Sequence, residues 1–143
     1  MLKLLFDNTR MIDIKHKNDL IKEADNAMVM SYSPYSSNKV GSALLTKIGR
    51  IYLGANIGNS CSTLNCCAEQ VAISSAVMNK DLDFLAIAIV QSSGKICIPC
   101  GRCLQLLSEF VDDMIILLPN RGEIIEYQLK YLLPLPHRRS DVL

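Results

Sequence analysis

Apolar residues recur at three- and four-residue spacing from Asn18 onward, at Leu20, Ile21, Ala24, Ala27 and Met28. That period predicts an amphipathic helix, and Asn18 has the side chain of an N-cap. The helix is expected to end near Tyr32, because Pro34 disfavours helical geometry at Ser33. Val40–Thr46 and Ile51–Ala55 read as two strands joined by the turn Lys47-Ile48-Gly49-Arg50, a hairpin. Residues 56–65, rich in Asn, Gly and Ser, read as a loop. Residues 67–78 read as a helix with Val71, Ala72, Ala76 and Val77 apolar. Residues 84–90 are uninterruptedly apolar, the mark of a strand buried on both faces. After a turn at 91–95, residues 101–111 predict a helix with Leu104, Leu107 and Phe110 on one side. Residues 114–118 form another buried strand, Pro119-Asn120-Arg121-Gly122 a turn, and Glu123–Gln128 a fifth strand. Residues 129–133 predict a short helix before Pro134.

The order strand, strand, helix, strand, helix, strand predicts an α/β fold with helices on both faces of a mixed five-stranded sheet. A chain of 143 residues fits one domain. Residues 17–134 are assigned to it. Residues 1–16 carry no clear period and read as an N-terminal extension, and 135–143 as a C-terminal tail.

Charge narrows the function. Fifteen basic and fourteen acidic residues leave a net charge of +1, which gives no long-range field for nucleic acid or an anionic membrane. No run approaches the ~18 apolar residues needed to span a bilayer. Residues 1–6 lack the length and cleavage site of a signal peptide. A cytoplasmic location is therefore expected, with reduced thiols, so the six cysteines read as metal ligands or buried thiols. Half of the residues are hydrophobic, which hints at surface buried between subunits and is explained equally by core packing. His16 and His137, the only histidines, belong to no ligand-spaced group and read as surface residues.

Candidate chemistry lies in two cysteine elements. Cys100-Gly101-Arg102-Cys103 opens a predicted helix. Two cysteines three apart at a helix N-terminus can aim both sulfurs at one ion, and the helix dipole favours thiolates there. Cys67 begins another predicted helix. Three thiolates leave one tetrahedral position open, an arrangement suited to catalytic zinc. The spacing leaves alternatives open: Cys66 competes with Cys67, and Cys97-Ile98-Pro99-Cys100 is also a C-x-x-C. Glu69, two residues after Cys67, is a carboxylate able to take a proton from water and hand it to a leaving amine. Cysteine, nearby glutamate and a later P-C-x-x-C form the pattern of zinc deaminases, here completed by Pro99-Cys100-Gly101-Arg102-Cys103.

In these motifs the chain resembles the small homotetrameric cytidine deaminases. The resemblance includes Tyr32-Ser33-Pro34-Tyr35-Ser36, Val40-Gly41-Ser42-Ala43-Leu44-Leu45, Gly54-Ala55-Asn56, Cys67-Ala68-Glu69, Glu109-Phe110 and Leu132-Leu133-Pro134. It implies a three-layer α/β/α sandwich and one zinc per chain held by Cys67, Cys100 and Cys103. It implies Glu69 as the proton carrier. It further implies a small pyrimidine substrate, contacted by the Ala68 backbone and, at the sugar, by Asn56. The family's stacking phenylalanine is replaced by Asn38, and its sugar-binding glutamate by Gly58. The arginine it carries after the catalytic glutamate is Gln70 here. Arg102, inside the C-x-x-C as in blasticidin S deaminase, is a candidate to compensate.

The expected activity is hydrolytic deamination of cytidine or deoxycytidine in pyrimidine salvage. Another aminopyrimidine is the alternative substrate. A non-catalytic zinc-structured interaction protein is a reading of a different class, opposed by Glu69. A polynucleotide deaminase would need basic channels or aromatic platforms, and this chain has neutral balance and no Trp.

Overall fold

The structure, a computed structural model, describes residues 12–138. Residues 1–11 of the expected extension, and residues 139–143 of the tail, lie outside the described residues.

Helix α1 (Ile14–Met28) opens four residues before Asn18. Asp13 is its cap, with Oδ1 accepting the His16 N–H at 2.8 Å. It also stops short of Tyr32. Ser31 and Tyr32 are drawn off the helix axis: the Ser31 hydroxyl donates to the Asn56 side-chain oxygen, and the Tyr32 N–H donates to the Asn56 carbonyl at 3.0 Å. A contact 25 residues away thus ends the helix earlier than Pro34 alone requires.

Strands β1 (Val40–Thr46) and β2 (Ile51–Ala55) form the expected hairpin. A loop containing one short turn of 3-10 helix (Ser62–Leu64) leads to α2 (Ala68–Met78). Next come β3 (Phe84–Gln91), α3 (Gly101–Ser108), β4 (Ile115–Asn120), β5 (Glu123–Gln128) and the single-turn α4 (Leu129–Leu132). The sheet runs β2-β1-β3-β4-β5. It is mixed: β3 and β4, joined through α3, are parallel, and the other neighbours are antiparallel. Pro119 lies in β4 opposite Ile124, not in the turn. The parallel ladder with β3 stops at Leu117, so the missing Pro119 N–H costs no bond there. Arg121 and Gly122, at φ 51° and 90°, close the hairpin alone, as a two-residue turn with both φ positive does.

Alternation along β3 sorts the two faces. Ala86, Ala88 and Val90 meet Leu20 and Ala24 of α1. Ile87 and Ile89 meet Ala72, Ile73 and Ala76 of α2 and Leu104 and Leu107 of α3. One helix on one face and the rest on the other make the three-layer sandwich. Two glycines set the approach. A Cβ on Gly41 would lie 2.1 Å from the Ala24 carbonyl oxygen, and one on Gly54 would lie 2.0 Å from the Ala68 oxygen. Only a bare Cα allows α1 and α2 to sit this close to the hairpin, and the Gly54 contact is at the first turn of the helix that follows Cys67.

Candidate functional site

The first turns of α2 and α3 converge at the same place. Cys67 is the N-cap of α2 and Cys100 the N-cap of α3, both extended at ψ near 160° or below. Cys103 is buried in the first turn of α3. The three sulfurs all lie within 4.8 Å of one another, and Cys100 and Cys103 are 3.6 Å apart. Tetrahedral zinc with Zn–S bonds of ~2.3 Å needs sulfurs roughly 3.8 Å apart, so the donor set fits the ion. Among the described residues this is the only such cluster. Cys66 and the Cys97 thiol stand outside it.

Helix N-termini supply partial positive charge to the sulfurs. The Cys67 thiol is held well below its ordinary pKa, chiefly because the Cys103 thiol hydrogen-bonds to it. Arg102 and Cys100 reinforce this, and burial opposes it. Cys103 is pushed up as the partner that keeps the proton. The Arg102 guanidinium donates to the Cys67 sulfur at 3.6 Å and to the Asn65 carbonyl at 3.0 Å. Gln70 closes a capping box, its Oε1 accepting the Cys67 N–H at 2.9 Å.

Beside the sulfurs is a cavity of about 270 Å³. That is near the lower end for small-molecule sites, and it suits one ligand of nucleoside size. Glu69 lines it and is only 4% exposed. Burial pushes its carboxyl above the ordinary value, and the negative Cys67 adds to the rise. A group so placed exchanges protons nearer neutrality than a solvated carboxylate.

Of the sequence candidates, Cys67, Cys100, Ala68, Glu69 and Asn56 border the cavity. Cys103 joins through its sulfur. Asn38 and Arg102 are not part of the wall. The Asn38 amide turns to Gln91 at 3.3 Å, while its carbonyl accepts from Asn56 Nδ2 at 2.9 Å. The wall also includes Ser36, Asn65, Cys97 and Ile98. Of these, the sequence offered Cys97 as an alternative ligand and held Ser36 in a motif of the resemblance without assigning it a role. Asn65 and Ser36 sit in loops with no periodicity to assign them a side.

A family model for the cytidine and deoxycytidylate deaminase zinc-binding region matches residues 14–118. A cytidine deaminase of Sporosarcina psychrophila is 38% identical over 125 residues, covering 86% of this chain and 92% of that relative. A blasticidin-S deaminase of Bacillus cereus is 30% identical over 130 residues, covering 85% and 92%. The crystal structure of cytidine deaminase from Burkholderia pseudomallei superposes with a TM-score of 0.80 at 34% identity, covering 84% of this chain and 98% of that one. Sulfur cluster, buried glutamate and overall likeness agree, and the chain belongs to the cytidine deaminase family of zinc-dependent hydrolytic deaminases.

Proposed function

We propose that the chain removes the 4-amino group of a cytosine nucleoside, cytidine or deoxycytidine, consuming one water and releasing ammonia and the uracil product. The observation that carries this is Glu69, a nearly buried carboxylate lining a nucleoside-sized cavity against three clustered sulfurs. Cys67, Cys100 and Cys103 would hold zinc, which supplies a Lewis acid that makes water nucleophilic near neutral pH. Glu69 accepts the proton released by the attacking water. It passes that proton to the ring nitrogen, then takes the second proton from the new 4-hydroxyl and gives it to the departing amine, so its own charge is restored at the end of the cycle. The Ala68 backbone and Glu69 face the pyrimidine edge. Asn56 faces the sugar with the one amide N–H that its internal bonds leave over. Asn38 and Arg102 act indirectly: the Asn38 carbonyl holds the Asn56 amide, and Arg102 holds the Asn65 carbonyl and the Cys67 sulfur.

The test is Glu69→Gln. The variant keeps size and burial and removes the proton carrier, so deamination should fall roughly 100- to 10,000-fold with fold and zinc content unchanged. Wild-type turnover by this variant would overturn the assignment of Glu69 as proton carrier, whereas no ammonia release from the unaltered zinc-loaded protein would leave the zinc-structured interaction protein as the better reading.

A second substrate reading, a blasticidin S-like aminopyrimidine, is favoured by Arg102 between two ligand cysteines and by the bare Gly58 in the cavity wall. Ammonia release from cytosine, cytidine, deoxycytidine and blasticidin S separates the two.

A homotetramer is part of the proposal. Its support is the exposed apolar surface of Met30, Leu53 and Ile57, which border a shallow groove between α1, β2 and α2 at the sheet's edge. A monomer by light scattering at micromolar concentration would overturn it. A cytoplasmic place in pyrimidine salvage fits a thiolate-based site, because that site and all six free cysteines need reducing surroundings. No helix among the described residues is long and apolar enough to cross a membrane.

A further inference from the structure

The cavity wall not made by the sulfurs and Glu69 has an uneven supply of hydrogen-bonding groups. The Asn56 side-chain oxygen accepts the Val40 N–H at 2.8 Å and the Ser31 hydroxyl. A backbone N–H can only donate, so this bond fixes which end of the amide is oxygen. The Asn56 nitrogen donates to the Asn38 carbonyl at 2.9 Å, leaving one N–H. Asn65 Oδ1 accepts the Asn59 N–H at 2.7 Å, which fixes that amide too, and its Nδ2 has no partner among the described residues. The Ser36 oxygen receives a long bond from the Asn38 N–H at 3.4 Å, and its own proton is unassigned. Gly58, Ile57 and Ile98 add no polar side-chain atom to the wall.

What remains is mostly N–H and O–H donors, one N–H on Asn56, two on Asn65 and the Ser36 hydroxyl, against one spare lone pair each on Asn65 Oδ1 and Ser36 Oγ as side-chain acceptors. The Arg102 guanidinium, bonded to the Asn65 carbonyl, places a positive charge beside the Asn65 donors. A sugar hydroxyl can accept from such a wall, but it finds little to receive its own proton. An anionic oxygen only accepts, and bonds to it are the stronger kind.

We propose that the cavity selects an aminopyrimidine whose substituent carries an anionic oxygen group, carboxylate or phosphate monoester, bound by Asn56, Asn65 and Ser36. The proposal rests on the deaminase reading for the pyrimidine end and on the donor wall for the rest. The ligand panel is cytidine, its 5′-carboxylate analogue and cytidine 5′-phosphate, each titrated by calorimetry into zinc-loaded Glu69→Gln protein so that no ligand is consumed.

At least one anion should bind about tenfold or more tightly than cytidine, and the stronger of the two identifies the source of the oxygens. Asn65→Asp keeps the acceptor for the Asn59 N–H and replaces the free donors with a negative charge. It should bring the ratio of anion to cytidine affinity to one or below. Gly58→Glu, which adds a carboxylate to the same wall, should move the ratio in the same direction if the first variant folds poorly. Cytidine binding as tightly as both anions, or a ratio unmoved by either folded variant, overturns the proposal. Ammonia release by the unaltered zinc-loaded protein reads the activity separately. Anion preference in binding without ammonia from any ligand supports this inference and sinks the deaminase reading. Deamination with cytidine preferred in both assays does the reverse.

Discussion

Gly54→Ala should damage catalysis more than stability. The added Cβ would fall 2.0 Å from the Ala68 carbonyl oxygen and 2.6 Å from the Ala72 nitrogen. Both are backbone atoms of α2, and no side-chain rotation relieves the contact. Reaching an ordinary separation of about 3.4 Å lifts the helix start by more than about 1 Å. Cys67, Ala68 and Glu69 ride on that turn, and a displacement of that size is worth roughly 100-fold in rate. Overpacking costs about 1–3 kcal/mol, and each kcal/mol lowers Tm by about 2–4 °C in a domain of this size.

The control is Gly41→Ala. Its Cβ would stand 2.1 Å from the Ala24 oxygen and 2.5 Å from the Met28 nitrogen, an equal insult delivered to α1 on the opposite face. Helix α1 carries neither zinc ligand nor Glu69. Initial rates of ammonia release from cytidine, zinc per chain and thermal unfolding are measured on both. The expectation is a similar Tm loss with a kcat loss near 100-fold for Gly54→Ala and far smaller for Gly41→Ala. A folded, zinc-loaded Gly54→Ala enzyme with wild-type kcat would refute the claim that the seat of α2 sets the position of Glu69.

The purified protein should hold one zinc per chain, and Cys100→Ala should abolish tight binding in elemental analysis after dialysis. Arg102→Ala should weaken zinc binding about 10- to 100-fold in chelator competition, the usual effect of losing a group that orients a ligand. Arg102→Lys should restore it only in part, since the shorter lysine stem places its ammonium short of Nη2, the one nitrogen that bonds both the Cys67 sulfur and the Asn65 carbonyl. In zinc-loaded protein at pH 8, iodoacetamide should label exposed Cys61 first, because the Thr63 hydroxyl lowers its pKa. Of the three cysteines outside the zinc site, Cys97 should label last: burial pushes it up to about 11, so about a thousandth is thiolate at that pH. Mass spectrometry showing Cys97 modified as fast as Cys61 would contradict the burial argument.

The strand 84–90 was legible because an unbroken apolar run bounded by turns has few alternatives, and the structure buries it on both faces. The ligand cysteines were half legible. Spacing pointed to Cys100 and Cys103 at a helix start, but it could not separate Cys67 from Cys66, which differ only in which one caps α2. The end of α1 was not legible, because a hydrogen bond from Ser31 to distant Asn56 decides it. The same distant bonds hid the cavity wall. Nothing in the local pattern says that the Asn38 side chain turns to Gln91, or that Asn65 and Ser36 line the cavity. Periodicity reports which side of a helix or strand is buried, and these residues are in neither.

Gln70 and Arg102 show how one departure from the family pattern accommodates another. Position 70 follows the glutamate, where resemblance leads one to expect an arginine offsetting the thiolates. An arginine has no acceptor atom. In this chain the Cys67 N–H at the open end of α2 needs one, and Gln70 Oε1 supplies it at 2.9 Å. A glutamine there fixes the ligand's backbone and brings no charge. The charge comes instead from α3: Arg102 sits between the two cysteines of the C-x-x-C and reaches across to the Cys67 sulfur at 3.6 Å. Its second bond, to the Asn65 carbonyl, also ties the metal ligand to the loop that lines the cavity. Orientation of the ligand and compensation of its charge are thus divided between two helices. The arginine that bonds the sulfur thus also holds the backbone of a residue lining the cavity, so one side chain spans the sulfur cluster and the cavity wall.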